Sequence, residues 1–298
     1  MGFLSNLIIG LNVGSVYAII ALGYTMVYGI AKMLNFAHGD VIMVGGYVSF
    51  CAMSYMGLNG WLALVLAMVV CTVLGVIIEG LAYKPLRQAT SLAVLITAIG
   101  VSYLLQNSAL LIWGANPKVF TPLIPSTNAA GEPNVLQLGE LSISYLSLFT
   151  MAACVVIMIA LTLFTTKTKM GKAMRACSED KGAAQLMGIN VNATISMTFA
   201  IGSALAAIAG VLLCSYSPTL MPTTGSMPGI KAFTAAVFGG IGSIPGALLG
   251  GLLIGIIEAL AKAYISTSLA NSIVFAVLIV VLLVRPSGLL GKYVPEKV

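Results

Sequence analysis

The chain has 298 residues, of which 59% are hydrophobic and only 7% charged, against about 25% charged residues in an ordinary soluble domain. A mean hydropathy of +1.07 and long unbroken apolar runs describe an all-α polytopic integral membrane protein. They exclude a soluble domain, and they are too continuous for barrel strands of about ten alternating residues. The net charge of +6 sits in the segments between apolar runs, where it sets orientation and is no nucleic-acid footprint.

The chain starts MGFLSNLIIG. No basic stretch precedes its apolar run, as a cleaved signal would require. Asn6 stands where N-myristoylation wants Ser or Thr. The first run, 4–30, is therefore expected to remain as a span. A span takes about 20 residues, and the further runs are 41–58, 61–83, 91–113, 141–166, 193–214, 232–264 and 271–284. The run 232–264 is interrupted by GGIGSIPG at 239–246 and is read as two arms split at Pro245. That gives one transmembrane domain over 1–298, with about 8–10 helices, some of them discontinuous.

Between the runs, 31–40 (AKMLNFAHGD) is polar and ambiguous. Lys84, Pro85 and Arg87 make a basic turn. Segment 114–140 carries Pro117, Pro122, Pro125 and Pro133 and little basic charge; 215–230 carries Pro218, Pro222 and Pro228. Placing the 84–87 turn, the basic stretch 167–190 and the tail (Arg285, Lys292, Lys297) on the cytoplasmic side satisfies the positive-inside rule. Segments 114–140 and 215–230 then lie outside, as does the N-terminus. A re-entrant segment around 35–40 would reverse the start.

The stretch 168–190, TKMGKAMRACSEDKGAAQLMGIN, is the most polar island in the chain. Lys167, Lys169, Lys172, Arg175 and Lys181 fall within it or at its edge. Helix formers fill 172–187 between Gly171 and Gly188, so a short helix at the inner face of the membrane is expected. It serves either to dock a soluble partner or only to fix topology.

Each half of the chain also holds one interrupted apolar region. The first, 35–46, contains Asn35, His38, Asp40, Gly45 and Gly46; the second, 239–251, opens with Gly239 and Gly240. Paired interruptions mark binding or permeation sites in transporters, because unwound backbone is tolerated only inside protein or beside a cavity. These residues are the candidate translocation pathway. The alternatives are plain: the glycines permit close helix packing, as the GxxxG spacings Gly10/Gly14, Gly246/Gly250 and Gly251/Gly255 would. His38 could be a hydrogen-bonding post. Asp40, ahead of an apolar run, looks like an N-cap.

Charges at membrane depth need partners. Glu258 has Lys262 one turn later, and Glu79 lies close to the Lys84/Arg87 turn. Both read as structural pairs, with a proton relay using Glu79, Glu258 or His38 as the alternative. The five cysteines (Cys51, Cys71, Cys154, Cys177, Cys214) form no CxxC pair, so neither a disulfide framework nor a metal site is expected. Hydrolase and P-loop motifs are missing; the GK in MGKAM lacks both the upstream glycine and the following Ser or Thr. A single histidine makes an intramembrane enzyme a poor reading.

Three blocks carry a family resemblance. They are 21–47 (ALGYTMVYGIAKMLNFAHGDVIMVGGY), the island, and 231–258 (KAFTAAVFGGIGSIPGALLGGLLIGIIE). In this order and spacing they resemble the LivH-type permeases of branched-chain amino acid ABC importers. The island is similar to that family's ATPase-coupling loop through Gly171, Ala173, Arg175, Ala176, Asp180, Ala184, Gly188, Ile189 and Asn190. The resemblance implies a permease of the bacterial or archaeal inner membrane that binds no cofactor of its own. ATP would be used by two separate cytoplasmic ATPase subunits. A second, related permease and an extracytoplasmic substrate-binding protein, docking on 114–140 and 215–230, would complete the importer. Arg175 and Asp180 are the expected polar contacts to the ATPase. Related permeases serve urea, short amides and other amino acids, so the substrate is the least specific part of this reading.

Overall fold

The computed structural model describes residues 2–125, 127, 133–138 and 141–291. Among the described residues, six helices are long and apolar enough to cross a membrane. They are α1 (Phe3–Ala31), α3 (Gly60–Ile78, continued by a π turn and a 3-10 turn to Leu86), α4 (Ser91–Trp113), α5 (Tyr145–Lys167), α8 (Val191–Tyr216) and α10 (Ile244–Tyr264). Two short helices, α6 (Lys169–Glu179) and α7 (Lys181–Leu186), fill the basic island. Three more are shorter: α2 (His38–Ser54), α9 (Ser226–Gly239) and the strongly apolar α11 (Ala270–Val284).

Polar side chains start most of the helices that begin at the ends of the bundle, α1 and α11, after Gly2 and Leu269, being exceptions. Asn59, Thr90, Ser144, Thr168, Asn190 and Ser243 each accept a bond from an amide in the first turn of the helix that follows. Each cap satisfies one of the donors a helix start leaves free. α2 and α9 have no side-chain cap; Ala37 and Gly225 stand at those positions. Asp40 is thus the third residue of α2, inside its first turn, and the expected cap is displaced to Ala37.

α1 and α8 form the centre. From Gly14 onward α1 is buried on nearly every side, which suits a helix that is apolar all round. It runs antiparallel to α10, and here the GxxxG spacings act as expected. A methyl on Gly255 would stand 2.2 Å from the Gly14 Cα, and one on Gly251 would stand 2.4 Å from the Ala18 Cα. α3, α4 and α5 lie outside this core, with most of their surface exposed.

Two sets of contacts define the ends of the bundle. Strand β1 (Lys118–Val119) pairs antiparallel with β4 (Thr219–Leu220), so the segments after α4 and α8 share one end. At the other end, Lys181 reaches the Ala31 carbonyl, Arg87 bonds Asn192, and Leu289 N–H donates to the Phe238 carbonyl. The 84–87 turn, the island and the start of the tail are therefore gathered at one end, the arrangement charge alone required; Lys292 and Lys297 lie outside the described residues. The segment after α4 also forms a hairpin of β2 (Val135–Leu138) with β3 (Leu141–Ser144), so the span expected from 141 begins at Tyr145. The break at Pro245 holds: α9 ends at Gly239, and Pro245 sits in the first turn of α10. The segment expected as an external loop through residue 230 is already helical from Ser226.

Candidate functional site

At about 1.5 Å per residue, α2 with 17 residues and α9 with 14 cover roughly 26 and 21 Å. Neither fills a hydrocarbon core of about 30 Å. After α1 the chain turns at Lys32, the one described non-glycine residue with positive φ. It then re-enters the bundle as an irregular segment, 32–37, that ends in a turn at 36–37, with Met33, Asn35 and Ala37 buried. α2 starts at His38, whose ring lies against Gly23 of α1 and Gly202, near the middle of α8. From there α2 runs toward the β1/β4 end, where Gly46 meets Leu220.

α9 is approached from the opposite side. The chain descends from β4 and starts the helix at Ser226, directly against the start of α2. A methyl on Gly225 would stand 1.8 Å from the Gly39 oxygen, and one on Gly229 would stand 2.8 Å from the Gly39 Cα. α9 then runs away toward Gly239 and the basic end. Two helix amino ends thus meet head to head inside the bundle. Each carries the positive end of a helix dipole, although most of the first-turn amides are already bonded, His38 to the Asn35 carbonyl, Asp40 and Val41 to Ala37, Ser226 to Thr223 and Gly229 to Gly225.

Gln106 of α4 bridges this junction. Its Nε2 donates to Asp40 Oδ1 at 2.9 Å, to Ser226 Oγ at 3.2 Å and to Ser102 Oγ at 3.3 Å. An acid in the first turn of α2 and a serine at the start of α9 are thereby tied to one amide. Aromatic rings close the basic side: Tyr24 lies 4.6 Å from His38 and 5.7 Å from Phe233, and Phe36 lies 5.5 Å from Phe233. A cavity of only about 10 Å³, lined by Tyr24, Met33, Asn35 and Phe233 among others, remains there. That is room for one water at most.

The candidate pathway residues divide between two places. Asn35 accepts a bond from the Tyr83 hydroxyl at 2.9 Å, and Asp40 is held by Gln106. His38 bonds the Ile20 backbone, while its Nε2 has no partner among the described residues. These three surround the junction. The glycines do not join them. Gly45 packs on Ala207, Gly46 on Cys214 and Leu220, and Gly239 on the Gly246 carbonyl; Gly240, at φ 104°, turns the chain against Gly291. Gly239 and Gly240 make an inter-helix turn at the basic end, and the partner of the first interruption is 221–226.

The island is two helices where one was expected. Gly171 lies inside α6, where a methyl would stand 2.2 Å from the Phe164 oxygen; its role is close packing of α6 on α5. Asp180 ends α6 and caps α7, its Oδ1 accepting from Gly182 and Ala183 amides. Gly188, at φ 81°, makes the expected turn, and Asn190 caps α8. Arg175 is exposed and donates to the Thr166 carbonyl at 3.4 Å. The buried face of the pair (Met174, Cys177, Ala184) packs on Met26 and Ile30 of α1. Lys181 Nζ donates to the Ala31 carbonyl at 2.8 Å. Burial, followed by the nearby charge of Arg87, lowers the pKa of this lysine. On the far side Leu186 and Met187 are 90% and 82% exposed.

The two buried glutamates are paired with cations. Glu79 takes Arg87 and the Ser196 hydroxyl. Glu258 takes Lys262, Lys231 at 2.8 Å and the Tyr17 hydroxyl at 2.8 Å. The sequence reading missed Gln106, Ser226 and Lys231. Their signal was a polar side chain within or beside an apolar run, the same one that drew attention to Glu258.

Residues 6–283 match the family described as branched-chain amino acid transport system / permease component. The chain is 45% identical to the high-affinity branched-chain amino acid transport system permease protein BraD of Pseudomonas aeruginosa, over 99% of this chain and 98% of that one. It is 46% identical, with the same coverage, to the corresponding LivH protein of Escherichia coli K12. The probable branched-chain amino acid transport permease LivH of Methanocaldococcus jannaschii is 32% identical over 77% of this chain and 72% of its own.

Proposed function

This chain belongs to the branched-chain amino acid transport system permease family, and we propose that it is a transmembrane permease subunit of an ABC importer for leucine, isoleucine and valine in the cytoplasmic membrane. The carrying observation is identity of 45–46% along almost the whole chain with two permeases of that stated specificity. The proposed complex contains a second, related permease, two cytoplasmic ATPases that use the ATP, and a substrate-binding protein on the β1/β4 end.

The geometry supports a route for coupling. The α6–α7 pair presents Leu186 and Met187 outward, an apolar knob for a cleft in the ATPase, with Arg175, exposed on α6, as a polar contact. Asp180 and Asn190 hold the backbone of this element through their caps. Motion of the pair passes to the end of α1 through the Met26/Ile30 contact and the Lys181 bond. From there segment 32–37 carries it to the amino end of α2. Alternating access then amounts to moving α2 and its re-entrant segment against α9. Proton coupling is the weaker reading, since Glu79 and Glu258 are each committed to a cation.

The test is purification from native membranes through a C-terminal tag, with mass spectrometry of what accompanies the chain and leucine uptake by the reconstituted complex. Walker-motif ATPases, a second permease and ATP-dependent uptake are expected. This chain alone, still transporting on a proton gradient, would overturn the importer reading. Arg175→Glu should abolish ATP-linked uptake while membrane insertion stays normal; unchanged uptake would remove the coupling role of the island.

A further inference from the structure

Among the six long helices α4 is the most exposed, and it is also the least apolar. α3 and α5 are exposed too, but they are the two most apolar, and their outward positions are filled by residues such as Val65, Val69, Val73, Val155, Val156 and Ile159. That is what a lipid-facing helix needs. α4 turns outward Tyr103, 62% exposed, and Asn107, whose Nδ2 finds only the Tyr103 carbonyl of its own helix, at 2.7 Å. Hydrocarbon offers no hydrogen bond to the rest of that amide, and polar side chains at membrane depth face other protein or water.

Gly100 makes the same point independently. Apart from Gly100 and Gly80, the latter in the π turn beside α4, the glycines of the described intramembrane helices have a neighbouring atom within 3.2 Å of where a methyl would stand. Each of those is explained by packing within this chain. Gly100 meets nothing within 4 Å, yet a glycine in a helix costs about 1 kcal/mol relative to alanine. Small residues in membrane helices serve close approach of another helix. The hollow beside the junction, meanwhile, has only about 10 Å³ free, too little for an amino acid.

Resting on the two-permease reading above, we propose that the face of α4 formed by Ile96, Gly100, Tyr103, Asn107 and Leu111 packs against the second permease subunit and forms this chain's wall of the substrate path. A second membrane-embedded subunit supplies both what Asn107 and Tyr103 can bond and the close helix that Gly100 admits. The face borders the half-helix junction through Gln106, three residues after Tyr103 and so its neighbour on the helix surface, which bonds both Asp40 and Ser226. Met227 and Ile230 are exposed on α9 next to that serine. A path along this face offers amides and hydroxyls to a zwitterion and flexible apolar side chains to an aliphatic group.

The test places the photocrosslinker benzoylphenylalanine at Tyr103, and at Val69 and Val156 as controls, in the assembled importer in native membranes. Uptake and co-purifying subunits are measured on the same preparations. Position 103 should give an adduct with a permease chain, identified by mass spectrometry, at least several-fold above either control. If the second permease co-purifies but only Val69 or Val156 crosslinks to it, or position 103 yields lipid adducts alone, the face is wrong and the importer reading stands. If no second permease co-purifies, the function proposed above fails first. Asn107→Leu, in the crosslinking background, should keep the adduct and lower uptake about tenfold; unchanged uptake would remove the face from the substrate path.

Discussion

The two short helices that meet inside the bundle are secured by different forces. α2 is held by neutral or singly charged hydrogen bonds: Asn35 to Tyr83, Asp40 to Gln106, and the His38 ring to the Ile20 backbone. α9 is held by an ion pair, Lys231 of α9 to Glu258 of α10, with the Tyr17 hydroxyl completing the carboxylate. A hydrogen bond contributes about 1 kcal/mol net and can be exchanged for another. A buried charge that loses its partner costs about 3–5 kcal/mol. α9 is therefore the anchored side of the junction and α2 the compliant side. The compliant side is also the one linked to the α6–α7 pair, through α1 and segment 32–37. Anchor and mover are separated by the kind of bond, at a place where both helices start without a side-chain cap.

The comparison breaks most readily at Glu258. Glu258→Gln strands the ammonium of Lys231, whose side chain is 7% exposed; about 3–5 kcal/mol of stability should be lost, read as a large drop in melting temperature in detergent. Lys262→Met should cost far less, because that side chain is 45% exposed and surface pairs contribute little. Equal melting of the parent and Glu258→Gln would end the idea of an anchor.

The junction itself is next. Gly225→Ala puts a methyl 1.8 Å from the Gly39 oxygen, an overpacking that costs about 1–3 kcal/mol and should push the two helix starts apart. Gly46→Ala meets only the Cys214 sulfur and a Leu220 methyl at 3.1 Å, and should retain uptake. Similar uptake by the two variants would mean that the contact between α2 and α9 is not used in transport.

On the compliant side Gln106→Leu removes the amide shared by Asp40 and Ser226. About 1–3 kcal/mol is at stake, so the protein should fold, with uptake reduced more than stability. The smallest effect on stability is expected at Lys181, which is partly exposed. Lys181→Met should lower the amount of leucine moved per ATP hydrolysed, with the ATPases still bound, and Lys181→Arg should restore most of it. A constant ratio across these variants would remove Lys181 from the coupling route.

Sequence alone settled the class, the approximate spans and the end at which each basic segment lies. Apolar runs must be buried or bathed in lipid, and positive charge is retained on one side; both follow from local composition. The family blocks were legible for the same reason, being contiguous. The pairing of interruptions was not. Segments 35–46 and 239–251 look alike as strings, each apolar and rich in glycine. Only packing shows that Gly239 and Gly240 make a turn at the basic end while Gly225 and Gly229 touch Gly39. A glycine contributes no side chain to a pattern; its meaning lies in what comes close to it, and that is a property of other helices. Gln106, Ser226 and Lys231 were hidden likewise, because their partners lie 66, 120 and 27 residues away. Bringing such residues together is the work of tertiary structure: the polar groups must find one another because the surrounding hydrocarbon and apolar core offer nothing else to bond.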